Sequence, residues 1–334
     1  MKAPFFALAG SLLVASAAAI GADVLVAVRA VPPEIAGRIR EARGFQQSAF
    51  GQFFVFDRRG HTVYGIDEQQ AAIWEIVQIG AEPGRILDPT AFSVAPDGSF
   101  VVADAPGNRG RIQIFGPAGN RLGGFLLASS TRPRLTFENV VMNGIGSLQY
   151  TGSSILLSQP ENGALITEYD LTGHTSRTFG ELRPTGHEQD ADVHLALNSG
   201  IPLATPDGDI VFVFQAGVPA FRRYDRTGRL RFERTMQGRD VDRIVEELPR
   251  SWPRSAATGE LPLVRPTIRA AAVDREGRLW VSFVAPFTYV FDGDGDKVRM
   301  VQFRGAGPVT PNSLFFGPRG TLLATPGLYE FTPR

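Results

Sequence analysis

The stretch TGHEQDADVH, residues 185–194, gathers two of the chain's four histidines with three acidic residues. It opens like the zinc-binding pattern His-Glu-x-x-His, in which two imidazoles four apart share one helix face. Here the residue four after His187 is Ala191, and the next histidine is His194. Neutral imidazole suits zinc or another transition metal, and it titrates near neutral pH. His61, His187 and His194 are therefore the candidate ligands for a divalent metal, or the members of an acid–base site. Arginine is the second chemical signature. Only Lys2 and Lys297 are lysines among the 34 basic residues, a bias that a GC-rich genome also produces. Arg58, Arg59, Arg109, Arg254, Arg265 and Arg269, with Trp252 among them, are the candidate ligand-binding residues. Guanidinium forks suit carboxylates and phosphates, so the expected partner is an anionic small molecule, a glycan or an acidic protein surface.

Other chemistries are excluded. The run DGDGDKVRMVQF (292–303) starts like a calcium loop, but Lys297 stands where that loop needs glycine and Phe303 where it needs glutamate. It reads as a hairpin turn. There is no nucleophile elbow and no phosphate-binding glycine loop. With no cysteine, thiol catalysis, cysteine zinc sites, disulfides and an N-terminal lipidated cysteine are all ruled out. The 34 basic and 34 acidic residues cancel, which argues against general nucleic-acid binding.

The elements that position these residues follow from a repeat. APDGSFVVAD (95–104), YTGSSILLSQ (150–159), TPDGDIVFVF (205–214), DREGRLWVSF (274–283) and GPRGTLLATP (317–326) share a turn glycine followed by a short β-rich run, and AFGQFFVFD (49–57) is the same unit. The glycines are Gly51, Gly98, Gly152, Gly208, Gly277 and Gly320, spaced by 47, 54, 56, 69 and 43 residues. Four units carry a second turn, FGPAG, YDLTG, YDRTG and FDGDG, whose glycine lies 18–21 residues after the first. Glycine supplies the positive φ such hairpins use. Each unit reads as four antiparallel strands, a to d, and six units make an all-β, six-bladed β-propeller; a small sandwich is the alternative. The last unit ends at LYEFTPR without a strand d, while DVLVAVRAV (23–31) is a spare β-rich run at the other end. The expected structure is one propeller domain over 23–334, its ring closed by the N-terminal strand. Residues 1–22 pair one basic residue with an apolar run and small residues, the pattern of a cleaved signal peptide; a retained anchor is the alternative. The expected location is periplasmic or secreted, with no further membrane span.

The units PDGSFVVAD and NRGRIQIFGPAG resemble the NHL-repeat and related six-bladed propellers of secreted bacterial proteins, over nearly the whole chain after residue 22. In such families the ligand site usually lies beside the central channel, on the face carrying the b–c loops and the d-to-a crossings. That face takes all ten candidate residues above, and the long crossing 238–268 between blades 4 and 5, whose DVDRIVEEL reads as an amphipathic lid helix. His174 falls on the opposite face. His194 is expected at the start of the inner strand VHLALNS of blade 4. Two classes of function fit: a binding propeller, or a metal-dependent hydrolase or lyase. The resemblance extends to SMP-30-type lactonases and peptide α-amidating lyases. The acidic ligands that such lactonases carry on inner strands are missing here, where His194 and Asn198 stand instead and Asp274 lies toward the far turn.

Overall fold

The six turn glycines all adopt positive φ, between 78° and 93°, and each hands the chain to a strand buried along its whole length, such as Phe53–Asp57, Ile210–Phe214 and Leu279–Phe283. These strands lack the in-out alternation of a half-buried sheet because neighbouring blades cover both of their faces. The structure is a computed structural model and describes residues 22–127, 134–137, 140–143, 147–256 and 260–333. Six sheets of four antiparallel blade strands form the ring. Their inner strands are Ala42–Gln47, Ala91–Val94, Leu148–Tyr150, Gly200–Ala204, Ile268–Val273 and Ser313–Phe316, and each touches the next around the full circle.

Packing follows the ring. Apolar clusters occupy all six blade junctions: Phe56 with Phe92 between blades 1 and 2, Phe221 with Phe291 between blades 4 and 5, Trp280 with Leu314 between blades 5 and 6, and similarly at the others. Side chains on the inner strands also bond across junctions. Gln46 Oε1 accepts from Val94 N at 2.7 Å, Ser93 Oγ from Tyr150 N at 3.1 Å, and Gln149 Oε1 from Ala204 N at 2.5 Å. This belt fixes the register of the blades around the channel.

The N-terminal run closes the ring, in two pieces. Arg29–Ala30 pairs antiparallel with Tyr329–Phe331 and is the fourth strand of blade 6. Asp23–Val26 instead joins the outer strand of blade 5, Lys297–Arg304, in parallel. Leu25 and Val31 bury into the junctions on either side of blade 6. A one-turn helix, α1 (Pro33–Ala36), then leads into blade 1.

Blade 4 differs from expectation. Its inner strand is Gly200–Ala204, and VHLALNS lies mostly in a helix, α2 (Ala191–Leu197). The Asp190 side chain accepts from Val193 N at the N-terminus of α2, and Arg183 binds the Leu197 carbonyl at its other end, so a capped helix takes residues expected in an inner strand. The next crossing contains α3 (Arg239–Glu246), which buries Val241 into the junction of blades 4 and 5. A hairpin between blades 2 and 3 (Arg134–Phe137 with Val140–Asn143), α2, and the hairpin Arg254–Ser255 with Leu261–Pro262 gather around Leu135, Val193, Leu197 and Val264. Three consecutive crossings thus build a cap on one side of the channel face.

Candidate ligand site at the channel mouth

Where the six inner strands begin, the channel opens into a cavity of about 160 Å³ on the face of the crossings. Every blade contributes. Its polar lining includes Arg43, Thr90, Ser147, Gln215, Arg269 and Asn312. Phe56, Phe92, Leu148, Ile201 and Leu314 form its apolar part. Among the described residues the lining contains no carboxylate, imidazole or thiol.

The two arginines differ in what they meet. Arg43 Nε donates to Glu41 Oε1 at 2.7 Å, and Arg58 grips the same carboxylate at 2.8 and 2.9 Å. Burial pushes the Glu41 carboxyl up, but the two guanidinium groups outweigh it and hold its pKa below the ordinary value. Arg269 Nη1 donates to Asn312 Oδ1 at 2.7 Å, a neutral amide in the neighbouring blade. Its Nε is buried and has no hydrogen-bond partner among the described residues. A buried donor without an acceptor costs about 1–3 kcal/mol, more when the group is charged. The sequence places Arg269 at this mouth by being the second residue of an inner strand.

The other candidate residues are distributed around this mouth or used elsewhere. Arg254 bonds Asp190 at 2.6 Å and Asp192 at 3.4 Å, clamping the blade 4–5 crossing onto α2. Arg59, Arg109 and Arg265 are exposed on the same face, outside the cavity lining. Trp252 packs against the cap, 6.5 Å from the His187 ring, with its Nε1 buried and unpartnered. Among the described residues no group of three or more His, Cys, Asp or Glu is placed to hold a metal, so His61, His187 and His194 do not form the expected ligand set. His61 lies 3.9 Å from Asp88, and His194 sits on α2 rather than at an inner strand, its Nδ1 2.8 Å from Thr185 Oγ1. Asn198 is consumed by its bonds to Arg183 N, Arg183 O and His194 O. His174 lies in a c–d turn on the far face, as expected, and the Asp292 carboxylate is spent on Asp294 N and Asp296 N inside a hairpin turn.

Of the six polar residues named above, Arg269 alone is among the sequence candidates. Each stands at or beside the start of an inner strand, or in a b–c loop for Gln215, and no two from different blades are close in sequence. Aligning the six inner strands at their first residues is the signal that finds Arg43, Thr90, Ser147 and Asn312.

Fold and mouth together define a six-bladed propeller with a cationic opening to its axial channel. A streptogramin B lyase structure shares the fold at a TM-score of 0.53 and 13% identity, covering 86% of this chain and 76% of its own. A virginiamycin B lyase from Staphylococcus aureus does so at 0.51 and 11%, covering 87% and 83%. At such identities the likeness is one of fold. No family model matches the chain, and no curated protein matches it.

Proposed function

We propose that the protein is an extracytoplasmic binding propeller whose channel mouth takes an anionic group on Arg269. The observation that carries this reading is the Arg269 guanidinium at the mouth, whose partner among the described residues is a neutral amide and not a carboxylate. A ligand anion would supply the counter-charge the site lacks. The size of the mouth favours a small molecule over a glycan chain or a protein surface. The leader-like residues 1–22 support a location outside the cytoplasm.

A lyase reading, which the names of the structural neighbours raise, needs a group that transfers protons or holds a metal. The described lining has none, and that favours binding. The test is thermal melting with small anions at constant ionic strength. A ligand at a hundred times its Kd stabilises the folded state by about 2.7 kcal/mol. The expected result is an anion-dependent rise in melting temperature that Arg269→Gln abolishes. A rise that survives the substitution would move the anion site elsewhere.

A further inference from the structure

We infer that the ligand is a monocarboxylate with a compact apolar body of about one ring, the class of benzoate; this rests on the anion-binding reading above. Two features beyond the charge of Arg269 lead there. The first is the apolar part of the mouth. Phe92, Leu148, Ile201 and Leu314 line it, with Phe56, 2% exposed, stacked on Phe92 at a centroid distance of 5.5 Å and an interplanar angle of 16°. Gly44 keeps that wall flat, because a Cβ there would stand 3.1 Å from Phe92 Cδ1 and 3.3 Å from Phe56 Cβ. An anion with only a hydration shell has no use for such a surface, whereas an aromatic or alicyclic body buries against it.

The second feature is size and charge. The mouth holds about 160 Å³, and a closed apolar cavity of roughly 150 Å³ takes up benzene, so a single ring fits within it. A drug-sized ligand asks for about 300 Å³ or more. Arg269 is the guanidinium of the mouth whose partner is an amide, while Arg43 and Arg58 share the Glu41 carboxylate. A single charge on the ligand meets that guanidinium; a phosphate dianion would ask for a second cation. Asn312, held by Arg269, fixes the plane of the guanidinium and leaves its other donors to the carboxylate.

The experiment titrates the full chain from residue 23 with benzoate, cyclohexanecarboxylate, acetate, benzamide and inorganic phosphate, read by calorimetry and by melting. Benzoate and cyclohexanecarboxylate should bind at least about tenfold more tightly than acetate, which lacks the body. Benzamide, the same body without charge, should be weaker by a similar factor. Arg269→Gln should reduce benzoate affinity roughly tenfold or more, and Arg269→Lys, which keeps the charge and loses the planar fork, should recover part of it. Equal binding of acetate and benzoate, or preferred binding of phosphate, each lost in Arg269→Gln, would overturn the carboxylate-with-body inference and leave the anion site standing. No binding by any of the three carboxylates or phosphate would overturn both. Should Arg269→Gln fail to fold, the comparison of benzoate with acetate and benzamide on the unaltered protein decides alone.

Discussion

Removing the Asp104 carboxylate should break the crossing that carries Thr90 to the channel mouth. Asp104 is 2% exposed and ends the second strand of blade 2. Its oxygens accept from Arg111 Nε at 2.9 Å, Arg111 Nη2 at 2.6 Å and Leu87 N at 3.1 Å. Arg111 in turn donates to Ala81 O at 2.7 Å and Arg85 O at 3.0 Å, so the ion pair ties residues 81–87 of the crossing to the blade. Asp104→Ala leaves a buried guanidinium without its counter-charge, which costs about 3–5 kcal/mol. It also strands the Leu87 N–H. That is a large share of the roughly 5–15 kcal/mol by which a folded domain is stable. At roughly 2–4 °C per kcal/mol, the melting midpoint should fall by about 10 °C. The assay is calorimetric melting of Asp104→Ala, Arg111→Met and the double variant Asp104→Ala/Arg111→Met. The double variant should be more stable than Asp104→Ala, because no buried charge is left unpaired. If Asp104→Ala melts with the parent, or if the two single losses simply add in the double variant, the reasoning from a buried, compensated ion pair is refuted.

Three further outcomes follow from the same structure. Arg254 hydrogen-bonds Asp190 and lowers its pKa against the opposing effect of burial, so the clamp between α2 and the blade 4–5 crossing persists above the ordinary aspartate range and is lost as pH falls through the lowered value; hydrogen exchange in residues 239–256 should rise at that acid step, and at every pH in Arg254→Gln. Deleting residues 23–31 should open the ring and lower the melting temperature sharply, and Leu25→Ala alone should cost about 2–5 kcal/mol by emptying the blade 5–6 junction; a truncated chain that melts like the intact one would count against closure by Arg29–Ala30. N-terminal sequencing of protein recovered from the producing cell should begin close to Asp23, and an intact Met1 in the membrane fraction would replace the cleaved leader with an anchor.

The ring was legible because its turns need glycine at positive φ wherever the chain reverses from strand a to strand b, and Gly51, Gly98, Gly152, Gly208, Gly277 and Gly320 all meet that need. The missing outer strand of the last unit pointed to the N-terminal run in the same way. The split of that run was not visible: Val28 sits between a parallel pairing with blade 5 and an antiparallel pairing with blade 6, and no local pattern marks the change. Residues 191–197 misled because position in the repeat was weighed without the Asp190 cap just before them and the helix-favouring Ala and Leu that follow. At the site, clusters of arginine in the sequence were poor guides. Arg58 and Arg254 are absorbed by Glu41, Asp190 and Asp192, whose proximity depends on pairings 17 and about 60 residues away. Arg269, the one candidate that reaches the mouth, has no acidic partner there, and its neighbours in space come from five other blades.

A crystal structure of the protein grown with saturating benzoate would show whether Arg269 presents a ligand-binding guanidinium at the channel mouth. Benzoate is expected in the mouth, its carboxylate hydrogen-bonded to Arg269 beside Asn312 and its ring against Phe92. Benzoate bound elsewhere, or a mouth that stays empty at saturation with Arg269 still paired to Asn312 alone, would contradict it.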